Sequence, residues 1–360
     1  MALLPLGLLL LKSTKCYASR RVPVRNLMSK QLVYSKFGDP LCVVKFRESA
    51  IPQLGDLEVL VRMLAAPINP ADINTIQGLR PDLPNLPHVA GDEGVGDVME
   101  IGAKVTYVEP GQRVVLSSRQ LGTWRYYGIY KEKDVHKIPP NIPLAEASML
   151  TVAPVSAYRL LHDYKQKPLC SGQYIVQNGA NSAIGQSVIQ ICKAMGVYTL
   201  NIVANHCGYE SVKEHLLSIG ATKVYTLEEA EELACCGLSF QRPTLALNCI
   251  GGRYEDVMLR LLERCGDMVY YGGAYCLPVN QYMRCDVWFH RFRLSDWDEN
   301  TTNVEKELTY KYIQELIVMG KFNAPMYEPV MLKYFDYALR NTCRCEAFST
   351  LNYVFDFTLI

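Results

Sequence analysis

Residues Gly179 to Gly185 read GANSAIG; they follow YIVQN and open the helical run QSVIQICKAMG. A turn of small residues between a strand and a helix gathers backbone N–H groups and the positive helix end at one point, the chemistry that binds a nucleotide phosphate. The usual G-x-G-x-x-G is absent. Ala180, Asn181, Ser182, Ala183 and Ile184 follow Gly179, and Gly185 takes the place of the glycine that lets the helix pack closely. The same residues also fit an ordinary helix N-terminus capped by Asn181 or Ser182, and the elements that follow decide for the phosphate.

At the end of the next strand an acidic residue would bind the ribose hydroxyls of NAD, and a basic one would accommodate the phosphate of NADP. Ala204, Asn205 and His206 stand there, so the carboxylate is missing and Asn205 or His206 is left to meet a phosphate. Metal chemistry has little to work with. The 13 cysteines form no C-x-x-C and the 6 histidines no H-E-x-x-H, which reads as reduced core thiols.

The elements that must position these residues change character along the chain. From Gln31 to about Lys137 the pattern is β, with VVKF, EVLVRMLAAPI, GVGDVMEIG and QRVVL bounded by Gly, Pro or Asp, at a spacing that predicts a small barrel. Pro143 introduces a helical passage. After Ser171 strands alternate with helices that carry apolar residues at three and four spacing and close at Gly196, Gly220 and Gly266. That alternation predicts a parallel sheet covered on both faces. A helix from Asn303 to Met319, stopped by Gly320, and another near Leu332 to Arg340 complete the chain.

At 360 residues and 49% hydrophobic the chain buries a full core and divides into two domains, while a net charge of +1 gives no field for nucleic acid. No run approaches about 18 apolar residues, so no membrane span is expected. The first acidic residue is Asp39, after Lys12, Lys15, Arg20, Arg21 and Arg25, which predicts a mitochondrial targeting segment over 1–28. A secretory signal on Leu3 to Leu11 is the alternative, but its positive charges follow the apolar run.

The runs LAAPINPADINTIQG, GDEGVGDVMEIG, LGTW, QNGANSAIGQSVIQI, LALNCIGG and YGGA, with LSDW beyond, resemble the medium-chain dehydrogenase/reductase superfamily, and within it the mitochondrial trans-2-enoyl-thioester reductases. The resemblance implies an α/β protein with a GroES-like β-barrel catalytic domain (29–150), a Rossmann-type doubly wound parallel-sheet cofactor domain (151–295), and a C-terminal part (296–360) that completes the catalytic domain. It implies NADPH, an enoyl-CoA or enoyl-acyl-carrier-protein substrate, a matrix location and a homodimer built through the cofactor domains. By likeness, cofactor contacts fall on Ala153, on Asn181, Ser182, Ala183 and Ile184, on Ala204, Asn205 and His206, on Tyr271, Gly272, Gly273 and Ala274, and on Phe292, Arg293 and Leu294. Trp124 would wall the substrate cleft. Zinc-dependent proteins of this layout carry G-H-E where this chain has Gly91, Asp92 and Glu93, so the expected hydride transfer uses no metal.

The chain departs from the family where the proton donor belongs. Arg80 follows Gln77, Gly78 and Leu79 in the place of a family tyrosine, and no tyrosine occurs between Tyr34 and Tyr107. A guanidinium is a poor acid but a good partner for an enolate oxygen. A family asparagine is Ala153 here, its basic residue for the adenosine phosphate is Ala204, and its C-terminal lysine has no match in LNYVFDFTLI. Two other readings stay open: a zinc-free quinone or enone reductase, and a paralogue that binds cofactor or partner without turnover.

Overall fold

The computed structural model describes residues 27–116, 119–164, 168–274, 286–344 and 350–359, so the expected targeting segment lies almost wholly outside the described residues. The barrel half contains β1 (Met28–Tyr34), α1 (Pro40–Val43), β2 (Val44–Ala50), β3 (Glu58–Pro67), α2 (Pro70–Gln77), β4 (His88–Val89), β5 (Gly94–Ile101), β6 (Arg113–Leu116), β7 (Tyr127–Lys131) and β8 (Val135–Lys137). Helix α2 was not expected in this β-patterned stretch. Pro70 pre-sets its first turn, and the Asp72 carboxylate accepts from the Asn69 N–H at 2.8 Å, so the start is fixed by two local features.

Helices α3 (Leu144–Ser148) and α4 (Ala153–His162) lead into an alternation of β9 (Tyr174–Asn178), α5 (Ala183–Met195), β10 (Tyr198–Val203), α6 (Tyr209–Ile219), β11 (Lys223–Thr226), α7 (Leu227–Cys236), β12 (Leu245–Asn248), α8 (Arg253–Leu261), β13 (Asp267–Tyr270) and β14 (Trp288–Arg291). These six strands form one sheet in the order β11-β10-β9-β12-β13-β14, every pair parallel. The order reverses between β9 and β12, which is the switch point where doubly wound sheets open a crevice.

Four further elements differ from the sequence expectation. Helix α7 went unread, although Thr226 and Glu229 form a reciprocal cap (Thr226 N–H to Glu229 at 2.8 Å, Glu229 N–H to Thr226 at 3.2 Å). Helix α8 stops at Leu261 rather than running to Gly266; Leu262 is extended, and Cys265, not Gly266, takes the left-handed backbone at φ 57°. Strand β14 and helix α9 (Leu294–Asn300) were also missed, and α9 crosses the expected domain boundary at 295.

The chain then forms α10 (Asn303–Val318), β15 (Tyr327–Val330), a short turn at Leu332–Tyr334, α11 (Phe335–Arg344) and β16 (Asn352–Asp356). Strand β16 pairs antiparallel with β3, so the barrel sheet runs β15-β16-β3-β5-β6-β8, with β7 also on β3; β2-β1-β4 form a second sheet. One apolar core joins the halves, from Val95 and Val115 of the barrel through Val155 and Leu160 of α4 to Val188 and Ile191 of α5. No described helix is long and apolar enough to cross a membrane.

His136 on β8 is 6% exposed, its ring lies edge-on to Tyr310 at 5.0 Å, and neither ring nitrogen is hydrogen-bonded among the described residues. Burial, aided by Lys306, pushes it down to about 4. The folded state therefore refuses a proton that the unfolded chain accepts below about 6.5, and stability present above that pH is lost as pH falls towards 4. His136→Leu should weaken this acid sensitivity: between pH 7.5 and 4.5 it should lose about 2 kcal/mol less stability than the wild type in urea unfolding. An unchanged pH dependence would show that the imidazole is not held neutral.

Candidate active site

The parallel sheet carries its strand ends to one edge, and the expected cofactor segments all sit there. Gly179 to Ile184 follow β9, Ala204 to His206 follow β10, Tyr271 to Ala274 follow β13, and Phe292 to Leu294 follow β14. At the switch point the Asn178 side-chain amide donates to the Asn248 Oδ1 at 2.7 Å, and the Cys249 N–H donates to the Asn178 Oδ1 at 2.8 Å. This clamp sets the spacing of the crevice walls. It also brings Cys249 to Gly252 to the same edge, a segment that the sequence reading left out of the site. The signal was available: N-C-I-G-G directly after a β-patterned run is a small-residue turn like the one at Gly179.

The turn itself fits a dinucleotide phosphate. Ser182 caps α5 by accepting from the Gly185 N–H at 3.1 Å. A Cβ placed on Gly185 would lie 2.5 Å from the Ala180 carbonyl oxygen, so the glycine serves close approach of the helix to the turn. Ala180 and Asn181 are buried, and Ser182, Ala183 and Ile184 are half-buried. Gln186, 1% exposed, fixes the turn from behind: its amide donates to the Asn181 carbonyl at 2.8 Å and the Thr350 carbonyl at 3.1 Å, and its oxygen accepts from the Met326 N–H at 3.1 Å. At the adenosine end, Asn205 and His206 are exposed; His206 Nδ1 accepts from the Gly208 N–H at 2.9 Å, which leaves the proton on Nε2 as its one donor. Tyr271 and Phe292 are buried, Gly272 and Gly273 are exposed, and Arg293 pairs with Asp296 at 2.8 Å.

A second group forms around the Gly91–Asp92–Glu93 turn. Gly91 has φ 97°, and a Cβ there would stand 2.3 Å from both the Thr123 hydroxyl and the Trp124 ring, so only glycine fits. Trp124 is 0% exposed, donates its indole N–H to the Pro67 carbonyl at 3.0 Å and meets Phe355 edge-on at 5.2 Å. The expectation that it walls a cleft is thus corrected: it packs behind the turn, in the barrel core.

Glu93 is buried and accepts four hydrogen bonds, from the Asn69 amide (2.8 Å), the Thr151 hydroxyl (2.9 Å) and N–H (3.2 Å), and the Val152 N–H (3.0 Å). Burial nonetheless raises its carboxyl to about 7 against these bonds. Because Val152 precedes α4, one carboxylate joins the cap of α2 to the N-terminus of the helix that begins with Ala153.

Arg80 stands on the other side of the turn. Its side chain is 16% exposed and lies 3.8 Å from Asp92 and 3.7 Å from Asp82. It donates no hydrogen bond at closer range among the described residues. Asp92 accepts from the Gln120 N–H at 2.8 Å. Arg119 pairs with Asp82 and, across to α9, with Glu299. Burial raises the Asp92 carboxyl, and burial together with Asp92 raises that of Asp72 well above the usual range.

Residues 55–140 match the family described as the alcohol dehydrogenase GroES-like domain. A solved structure of Etr1p with NADP and crotonyl-CoA superposes with a TM-score of 0.81 at 24% identity, covering 92% of this chain and 100% of that one. The mitochondrial 2-enoyl thioester reductase Etr1p/Etr2p heterodimer of Candida tropicalis gives the same values. The mitochondrial enoyl-[acyl-carrier-protein] reductase of Xenopus tropicalis is 38% identical over 329 residues, 89% of this chain and 93% of that protein. The chain belongs to the mitochondrial enoyl-[acyl-carrier-protein] reductase family of medium-chain dehydrogenase/reductases.

Proposed function

We propose that this chain reduces trans-2-enoyl thioesters, carried on coenzyme A or an acyl-carrier protein, to saturated acyl thioesters with NADPH, in the mitochondrial matrix, as a step of fatty acid synthesis. The observation that carries the reading is the likeness to the Xenopus reductase, which extends over both the crevice segments and the loop holding Arg80. The backbone amides of Gly179 to Ile184 would hold the pyrophosphate, and Ala204 to His206 the adenosine phosphate. Tyr271 to Ala274, Phe292 to Leu294 and Ala153 would line the rest of the crevice.

NADPH supplies the hydride when bound. The chain's own part begins with the charge that collects on the thioester oxygen as the double bond is reduced. Arg80 is held between two carboxylates at ion-pair distance with its N–H donors uncommitted, which suits a guanidinium that accepts an oxyanion. The same geometry makes Arg80 a stabiliser of charge and not a source of protons.

Strand β14 is the outer strand of the cofactor sheet, and Trp288 at its start is 53% exposed. An exposed indole on an open strand edge supports association of two copies through their cofactor sheets.

The purified protein should oxidise NADPH only when crotonyl-CoA is present; no binding of NADPH or NADP by calorimetry at millimolar concentration would end the reading. Arg80→Gln should lower kcat about a hundredfold while leaving NADPH affinity unchanged. Sedimentation should find a dimer, and Trp288→Lys should convert it to a monomer that still binds NADPH; a monomeric wild type would refute the interface.

A further inference from the structure

The enoyl-thioester reading asks this protein to bring together two guests: a nucleotide at the strand ends of the parallel sheet and a thioester beside the barrel. Reacting carbons must meet at about 3 to 3.5 Å, and a misplacement of about 1 Å costs about a hundredfold in rate. The apolar core that joins the two halves holds them together but is non-directional. Hydrogen bonds between the halves are what fix their register. The phosphate turn carries such a connection through Gln186, close to the start of α5.

The Gln186 amide donates to the carbonyls of Asn181 (2.8 Å) and Thr350 (3.1 Å), and its oxygen accepts from the Met326 N–H and the His215 Nε2, each at 3.1 Å. An amide has two donors and two acceptor positions, and all four are filled. The partners also fix which way it points, since a flipped amide would set its oxygen against two carbonyls and its NH2 against a backbone N–H. They come from both halves. Asn181 follows β9 of the cofactor sheet, whereas Met326 adjoins β15 and Thr350 precedes β16, two strands of the barrel sheet. The Asn352 N–H donates to the Met326 carbonyl at 2.8 Å, which ties these two segments to each other, and β16 continues the link to β3. One turn further along α5, Gln190 grips the same C-terminal segment: its amide donates to the Asn323 carbonyl at 3.0 Å and its oxygen accepts from the Asn323 N–H at 2.8 Å. Its other bond runs back to the Gln186 carbonyl at 3.5 Å, not to the turn.

We propose that Gln186 is a positioning residue for hydride transfer, coupling the phosphate turn to the C-terminal strand pair of the catalytic half. This rests on the enoyl-thioester reading and on the assignment of Gly179 to Ile184 to the pyrophosphate. A nucleotide seated on the turn is referenced, through the Asn181 peptide and one amide, to the strands that complete the barrel sheet. Gln186 acts through that peptide and not on the reacting atoms. The junction requires a glutamine: an ionised glutamate has the same reach and keeps an acceptor for Met326 and His215, but it offers no donor to the two carbonyls. Because the amide is 1% exposed, water does not substitute for the lost bonds.

Gln186→Glu severs the link to the turn while keeping those to Met326 and His215. In stopped flow with saturating NADPH and crotonyl-CoA at alkaline pH, it should transfer hydride, counted per bound NADPH, about tenfold or more slowly than the wild type. The rate should recover towards the wild-type value as pH falls and the new carboxyl gains a proton to donate. A rate per bound nucleotide does not depend on the fraction of variant that folds. Gln190→Glu, the same change one turn away, should keep the wild-type rate. A wild-type rate in Gln186→Glu at alkaline pH, or an equal loss in Gln190→Glu, overturns the assignment. The wild type supplies a test that needs no variant: NADP should slow hydrogen exchange in the peptide around Met326, and unchanged exchange there overturns the coupling. A wild type that binds neither NADPH nor NADP overturns the parent reading, and this one with it.

Discussion

A single buried carboxylate holds the two halves of this protein in register. Glu93 sits at the start of β5, and its hydrogen bonds reach Asn69 at the head of α2 and Thr151 and Val152 at the head of α4. A carboxylate deprived of water is costly to ionise unless several donors surround it; here the Asn69 side-chain amide, the Thr151 hydroxyl and N–H and the Val152 N–H do so, although burial still raises the carboxyl to about 7. The geometry therefore works in both directions: the helices stabilise the charge, and the charge fixes where each helix starts. Asp92 precedes Glu93 and faces Arg80, whereas Val152 precedes Ala153. The barrel loop and the cofactor half are thus indexed to one another by a side chain that belongs to neither the crevice nor the cleft.

The same turn explains how a charged residue is accommodated at Arg80. An arginine in a recess needs anions, and Asp82 and Asp92 supply them without consuming its donors at close range. Arg119 spreads the remaining negative charge by pairing with Asp82 and Glu299. The result is a network of alternating sign around the Arg80 guanidinium.

Much of this architecture was legible in the sequence because it is written in local periodicity. The alternation after Ser171 announced the parallel sheet, and Gly196 and Gly220 do close α5 and α6 with left-handed backbone at φ 71° and 116°. Where the marker is a cap, reading failed: the start of α7 is signalled by the Thr226 to Glu229 spacing. Gly266 misled because a Cys–Gly pair offers two candidates for a left-handed residue, and Cys265 took the position. The strand ends at which the expected cofactor segments lie were legible since they follow from strand identity. The environment of Arg80 was not, because its partner Asp92 comes from a different element, and whether Trp124 faces a cleft or a core depends on packing between β5, β16 and the Gly91 turn.

The closing strand of the barrel sheet has a temporal implication. Strand β16 is contributed by residues 352–356 and pairs with β3 at residues 65–67, while the entire cofactor sheet is encoded between them. Such a pairing has a large loop-closure entropy and cannot form until the far end of the chain is available. A polypeptide delivered from its N-terminus, whether from a ribosome or through a translocon, thus has its whole parallel sheet available while residues 65–67 of β3 still lack their β16 partner. Assembly of this molecule is inside-out: the interior segment is available first, and β16 joins β3 last.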